Sequence, residues 1–245
     1  MKKVLFIGDI HGRVDWRETA NEGLKKFEEV VFLGDYFDSF DISAVRQIDN
    51  FKALLAFLRK RGGTALLGNH DYAYIHSYHS ISGYQFSQAP ILKQLLEENR
   101  DLFKIAWGYT NPMTKKYTLV THAGLTFTYW KRHVLPLFEG GFMEELTGLK
   151  EPESLDLHEI LNYLIDKKEL MWKVGSMRGG VGTPGPLWAD IRELVDDPYP
   201  DINQVVGHTA SHSISLDFLK SPKGDGFIAR VDSFGKNTAS LVVSL

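Results

Sequence analysis

The chain of 245 residues contains no cysteine. A disulfide framework and a thiolate metal site are excluded with it, because both need the sulfur. No stretch reaches the run of about 20 apolar residues that a membrane-spanning helix requires. Charge of one sign is also scarce: 28 Lys and Arg against 31 Asp and Glu leave a formal net charge of −3. A broad electrostatic grip on nucleic acid needs a basic excess, so this balance argues against that partner, although a local basic groove stays compatible with it. The opening Met1-Lys2-Lys3 before Val4 to Ile7 begins like a signal peptide, but Gly8, Asp9 and His11 interrupt the apolar run at once. No tandem repeat, low-complexity tract or linker divides the sequence. What remains, 43% hydrophobic and 24% charged, is ordinary for a soluble globular protein able to bury a full core. The expectation is one domain over residues 1–245, cytoplasmic, with no membrane partner.

The first seventy residues repeat one rhythm. Val4 to Ile7, Val30 to Leu33 and Ala65 to Leu67 are short apolar runs, each followed by Gly and polar residues. Such runs suit strands covered on both faces. Between them Ile48, Phe51, Leu55 and Leu58 recur at helical spacing, with Ser43 as N-cap, Arg59 to Arg61 at the C-terminal end and Gly62-Gly63 as the stop. Strand–helix–strand alternation predicts right-handed crossovers and a mainly parallel sheet for this half. Tyr117 to Val120 and Val205-Val206 read as two further strands. Phe227 to Val231 and Ala239 to Leu245 read as an antiparallel pair around Gly235-Lys236-Asn237. The middle, about residues 125–200, reads as mostly helical and as a cap or substrate-side elaboration.

Ligands of open α/β sheets bind beyond the carboxyl ends of the strands. Five predicted strand ends deliver Asp9 with His11, Asp35, Asn69 with His70, His122, and His208. Taken singly, each has a plainer explanation. Gly8-Asp9 or Gly34-Asp35 alone can be a turn, Asn69 a helix cap, and His122 or His208 a hydrogen-bonded core histidine. Together they form a metal-ligand inventory too large for one catalytic zinc, which takes three protein ligands. They suit two ions sharing a carboxylate, ~3.5–4 Å apart, which activate water and stabilise charge developing on a phosphoryl group. Imidazole suits Zn and Fe, and the oxygen ligands extend the choice to Mn. His70 is then free to protonate a leaving oxygen.

The segments Gly8-Asp9-Ile10-His11-Gly12, Gly34-Asp35-Tyr36-Phe37-Asp38, Gly68-Asn69-His70-Asp71, Thr121-His122-Ala123-Gly124 and Gly207-His208-Thr209 resemble the ordered motifs of the calcineurin-like metallophosphoesterases. Within these, the sequence most resembles the phosphoprotein phosphatase branch, with its bacterial and phage serine/threonine phosphatases and the diadenosine tetraphosphate hydrolases. The resemblance implies a four-layer α-β-β-α sandwich with mixed sheets and a metal site at the C-terminal strand ends. It implies that Asp9 and His11 bind one divalent transition-metal ion, that Asp35 bridges two, and that Asn69, His122 and His208 bind the second. Manganese is the ion expected in vitro, with iron and zinc as alternatives. It further implies His70 as general acid, oriented by Asp38, and direct attack of metal-activated water on phosphorus without a phosphoenzyme. Asp38 and Asp41 each retain a second reading, as a cap for the helix beginning near Ser43.

Two positions depart from the family pattern. The branch continues its second motif as Asp-Arg-Gly, whereas Asp38 is followed by Ser39-Phe40. That phosphate contact is either missing or supplied from elsewhere, and Arg13, Arg178 and Arg192 are the candidates for supplying it. Many wider relatives also carry a second histidine two residues beyond the last ligand, where this chain has Ala210; His212 lies too far along to take its place. His76 and His79 have no partner motif. Phe127, Tyr129, Trp130, Trp107 and Trp172 read as core.

The expected activity is hydrolysis of phosphomonoesters in the manner of a protein serine/threonine phosphatase, on a phosphoprotein, nucleotide or small phosphoester. Cleavage of dinucleoside polyphosphates is the enzymatic alternative; a nuclease is disfavoured by the missing basic stripe. A non-catalytic metal-binding scaffold is the alternative of another class, set against the presence of every ligand and of the acid histidine.

Overall fold

The computed structural model describes residues 2–78, 80–148, 155–221, 224–232 and 237–245. His79, Gly235 and Lys236, named above, lie outside the described residues. The chain divides into two compact units. One comprises Met1–Lys104, Ala210–Ile214 and Val231–Leu245; the other comprises Ile105–Thr209 and Ser215–Arg230. Each is an α/β unit built on one mixed five-stranded sheet, in keeping with the α/β class and mixed sheets expected from the sequence.

The first unit contains β1 (Lys3–Ile7), α1 (Trp16–Lys26), β2 (Glu29–Phe32), α2 (Ala44–Arg61), β3 (Thr64–Leu66), α3 (Asn69–His76), α4 (Ala89–Glu98), β4 (Phe103–Lys104) and, from the far end of the chain, β10 (Ser240–Ser244). Sheet order is β10-β1-β2-β3-β4. The β1–β2, β2–β3 and β3–β4 pairs are parallel, as strand–helix–strand alternation requires. Helix α2 begins after Ser43 and ends at Gly62, whose φ of 83° is the left-handed geometry that glycine adopts without cost. The core is aromatic: Trp16, Phe32 and Phe57 meet edge to face at 5.6–6.0 Å, and Phe37 and Phe51 at 4.6 Å.

The second unit contains β5 (Ala106–Thr110), β6 (Tyr117–Thr121), α5 (Phe127–Tyr129), α6 (Leu135–Glu139), α7 (Phe142–Thr147), α8 (Leu157–Tyr163), α9 (Lys168–Met171), α10 (Ile191–Asp196), β7 (Ile202–Val206), β8 (Ser215–Ser221) and β9 (Gly224–Arg230). Its sheet runs β5-β6-β7-β9-β8, with parallel pairing at β6–β7 and β7–β9. The helices all fall between β6 and β7, the segment expected to be helical.

The expected antiparallel pairing of Phe227–Val231 with Ala239–Leu245 is not formed. Strand β9 has β7 on one side and β8 on the other. Strand β10 instead pairs antiparallel with β1, from Lys3↔Ser244 to Ile7↔Ser240. The edge of β1 not used by β2 is the open place in its sheet. The stretch joining β9 to β10 is also longer than a hairpin turn, so nothing local enforces their pairing. Of the aromatics expected in the core, Trp107, Tyr129 and Trp130 are buried, whereas Phe127 and Trp172 are half-buried and Trp172 lines a cavity.

Candidate functional site

In the first unit, three adjacent parallel strands end in motif residues. The chain leaving β1 carries Asp9 and His11, that leaving β2 carries Asp35 and Asp38, and that leaving β3 turns at Gly68 into α3, where Asn69 and His70 occupy the first turn. Close approach of these turns requires glycine. A Cβ on Gly68 would run into the carboxylate and backbone nitrogen of Asp35, and one on Gly34, at φ 103°, into the backbone of Gly68. Asp71, fully buried, ties the turns together: Oδ2 accepts the N–H groups of Asp35 and Gly68, each at 2.8 Å, and Oδ1 accepts that of Tyr36 at 2.9 Å.

His11, Asp35 and His70 form a cluster whose metal-ligating atoms all lie within 4.8 Å of one another. Nδ1 of His11 is 2.6 Å from the carbonyl oxygen of Phe37. That carbonyl can only accept, so Nδ1 carries the proton and Nε2 keeps its lone pair. This nitrogen is 3.8 Å from Asp35 Oδ2 and 4.0 Å from Asp9 Oδ2. Burial lowers the His11 pKa against the opposing pull of Asp35, which favours the neutral, ligating form. Asp9, Asp35 and Asn69 are all about 2% exposed. Buried carboxylates facing a neutral imidazole are costly alone and suited to a cation. The donor set of imidazole nitrogens and carboxylate oxygens therefore fits the implied metals.

Nδ1 of His70 is 2.8 Å from Asp38 Oδ2, while Nε2 lies 4.0 Å from Asp35 Oδ2. Burial would lower the His70 pKa; the carboxylates of Asp35, Asp38 and Asp71 outweigh it and the pKa is raised. Asp38 is 2% exposed and does not cap α2; Ser43 holds that position.

In the second unit, the chain leaving β6 carries His122 and that leaving its parallel neighbour β7 carries His208. Nε2 of His122 is 3.2 Å from Nδ1 of His208. Two nitrogens bonded to one ion at about 2.0–2.1 Å would stand roughly 2.8–3.4 Å apart at octahedral to tetrahedral angles, so the pair has a spacing compatible with a single cation. The N–H of Gly207 donates to the carbonyl of His122 at 2.8 Å and holds the two loops in step. Arg178 lies beside this pair, with its guanidinium 2.9 Å from Thr209 Oγ1 and 3.1 Å from Asp190 Oδ2. Arg192 also pairs with Asp190, at 2.8 Å, and is largely exposed. Arg13, in the first unit, donates to the carbonyls of Ile10 at 3.0 Å and Asp9 at 2.6 Å, so it braces the first motif turn. His76 lies against Tyr72, ring centroids 4.2 Å apart.

Four of these residues have positive φ: His11 at 42°, Asp35 at 52°, Asp38 at 65° and His208 at 61°. Each such left-handed non-glycine residue costs about 1 kcal/mol or more, and such strain concentrates where side chains must be aimed. Asp71 and Tyr74, whose hydroxyl reaches Asp38, were not singled out from the sequence. The available signal was position: Asp71 is the third residue of α3, where an acidic side chain can cap the helix start.

The second unit also holds a cavity of about 450 Å³ lined by Arg132, His133, Glu169, Trp172, Lys173 and the stretch 180–183. Neither Arg132 nor Lys173 makes an ion pair among the described residues. Trp172 meets Trp188 at 5.0 Å, and Trp188 meets His208 at 5.7 Å.

No curated protein matches the sequence. Among solved structures, a single-site mutant of a cold-active protein tyrosine phosphatase is similar over 99% of this chain and 75% of its own, at 19% identity and a TM-score of 0.52. A metallophosphoesterase from Sphaerobacter thermophilus is similar over 99% of this chain and 83% of its own, at 13% identity and a TM-score of 0.48. The model of the calcineurin-like phosphoesterase family matches residues 2–228. With nearly the whole length matched and the motif residues at the strand ends, the chain belongs to the calcineurin-like phosphoesterase family, whose members are metal-dependent hydrolases of phosphoesters.

Proposed function

We propose that the protein is a phosphomonoesterase of the protein serine/threonine phosphatase kind, using two divalent transition-metal ions and His70 as the general acid. The observation that carries this reading is the His70–Asp38 pair at 2.8 Å, its carboxylate buried, beside the Asp35 carboxylate. An imidazole held through Nδ1 by a carboxylate keeps Nε2 as its working nitrogen, and Nε2 is the atom on the Asp35 side.

Asp9, His11 and Asp35 would hold one ion, and Asn69, His122 and His208, with Asp35 shared, the other. When bound, the ions supply positive charge to the phosphoryl oxygens and make a nearby water acidic enough to attack at neutral pH. The chain's own groups do the rest. Asp38 keeps His70 oriented and its charged form stable. His70 gives the Nε2 proton to the leaving oxygen as its bond to phosphorus breaks. Arg178, steadied by Asp190 and Thr209 next to His208, is the favoured replacement for the missing clamp, because Arg13 is engaged with backbone carbonyls and Arg192 pairs with the other oxygen of Asp190 and is largely exposed. The reading predicts metal-dependent hydrolysis of an aryl phosphate. On an ester whose leaving oxygen must be protonated it also predicts loss of nearly all activity in Asp35→Asn and in His70→Asn; full activity in both variants would overturn the roles.

The cavity favours a second reading, cleavage of a larger nucleotide anhydride such as a dinucleoside polyphosphate. Two cations with no ion pair among the described residues, beside an indole, suit a ring carrying phosphate. A panel of aryl phosphate, phosphopeptide and dinucleoside polyphosphate separates the two. If the second holds, Arg132→Ala with Lys173→Ala raises KM for the polyphosphate alone.

A further inference from the structure

Behind His70 stands a hydrogen-bonded chain that the proposed chemistry has not yet used. Tyr74 follows His70 by one helical turn of α3, so both side chains leave the same face. Its hydroxyl lies 2.5 Å from Asp38 Oδ1, while Oδ2 of the same carboxylate meets His70 Nδ1 at 2.8 Å. The backbone N–H of Gln85 donates to the tyrosine oxygen at 2.9 Å. A phenol has one proton, and the N–H needs only the lone pair, so the O–H is directed at Asp38. The order of donation is therefore fixed, from Gln85 to Tyr74 to Asp38, with His70 donating from the other side.

The surroundings hold this chain in place. Tyr74 and Asp38 are 1% and 2% exposed. The ring of Tyr84 stacks on that of Tyr74 at 4.5 Å and 14°, which restrains the phenol. Gln47, itself 2% exposed, accepts the N–H of Ser39 at 3.1 Å and donates to the carbonyl of Ile42 at 2.6 Å. It also accepts from the side chain of Gln85 at 3.1 Å. The loop that carries Asp38 and the segment that pins Tyr74 are thus joined through one glutamine.

We propose that Tyr74 is a positioning residue for the proton donor, holding Asp38 in the orientation that presents Oδ2 to His70 and so aims His70 Nε2 at the leaving oxygen. The inference rests on the reading of His70 as general acid. With Oδ1 anchored, rotation of the carboxylate about its Cβ–Cγ bond is blocked. Without the hydroxyl, a buried carboxylate oxygen loses its partner, turns toward another donor and carries the imidazole out of line. Such misalignment matters only where the leaving oxygen needs a proton during bond cleavage.

Tyr74→Phe keeps the ring and removes the hydroxyl. For a simple alkyl phosphate, whose leaving oxygen must be protonated, kcat is expected to fall about 10- to 100-fold. For 2,4-dinitrophenyl phosphate, whose leaving group needs no proton, kcat should stay within about 3-fold, and KM for both should hold. His70→Asn should show the same pattern with a larger loss. A second readout needs neither metal nor turnover. In the metal-free protein the Nδ1–H proton of His70, identified by its absence in His70→Asn, should give a sharp downfield NMR signal. In Tyr74→Phe that signal should broaden through exchange with water, with the thermal midpoint nearly unchanged. An equal kcat loss on both substrates, or an unaltered Nδ1–H signal, overturns the proposal. If the wild-type chain hydrolyses neither ester, the phosphatase reading fails instead, and the NMR comparison still decides the role of Tyr74.

Discussion

Asp71→Asn changes one atom type at a residue that touches no substrate, yet it should be among the most damaging single substitutions in the first unit. The carboxylate accepts three backbone N–H groups, from Asp35, Tyr36 and Gly68, at 2.8–2.9 Å with no exposure to water. Asparagine has one acceptor oxygen. Placed at the Oδ2 position, that oxygen keeps Asp35 and Gly68 but turns an NH2 group toward the N–H of Tyr36; the flipped amide abandons two N–H groups. In the better arrangement one buried donor loses its partner, at about 1–3 kcal/mol, and two charge-assisted bonds become neutral ones, at about 1 kcal/mol each. The sum is about 3–5 kcal/mol, or roughly 6–20 °C in the thermal midpoint for a chain of this size. Thermal unfolding of the metal-free protein, followed by circular dichroism, measures it. Activity well below the midpoint should also drop, because the same three bonds set the backbone under Asp35 and Asn69. A shift smaller than about 2 °C, less than one buried donor without a partner should cost, would refute the claim that Asp71 clamps these turns.

Arg178→Ala should lower kcat/KM about 10- to 100-fold, the worth of one charge-assisted phosphate contact, with Arg192→Ala within about 3-fold as the comparison; steady-state kinetics on an aryl phosphate decide it. Arg13→Ala should instead lower the thermal midpoint, since its donors brace the carbonyls of Asp9 and Ile10. His208→Ala should reduce the metal bound per chain by about one equivalent in elemental analysis after dialysis, because it removes half of a preformed nitrogen pair.

The candidate metal ligands stood out in the sequence for a local reason. Four of the five motifs sit where an apolar run stops at a glycine, and at Gly68 the turns pack so closely that a side chain would collide with Asp35. Periodicity likewise marked α2 from Ser43 to Gly62. What escaped were relations through space. The match of β10 to β1 joins the two ends of the chain, and no turn signal announces it. Strands β5 and β8 carry mixed polar and apolar residues instead of a continuous apolar run, so they lacked the mark that revealed the others. Asp71 stood in view within its motif, but two of its three acceptor bonds reach across to another strand end. Tyr74 looked like one more aromatic in a Tyr-rich stretch, and its partner Asp38 is far from it in sequence. Trp172 had the composition of a core residue and took its place in a cavity wall, since burial depends on which face of a short helix end the packing leaves open.

Hydrolysis of phosphomonoesters with metal ions, and with His70 as the acid, stands or falls on one comparison. The rate of phenyl phosphate hydrolysis, whose leaving oxygen needs a proton, is measured on protein stripped with chelator, before and after addition of manganese, for the wild type and for His70→Asn. The stripped wild type should not turn over, manganese should restore it, and recovery in His70→Asn should be at least about 100-fold smaller. Equal rates with and without metal, or equal recovery in the two proteins, would show that the chemistry runs some other way.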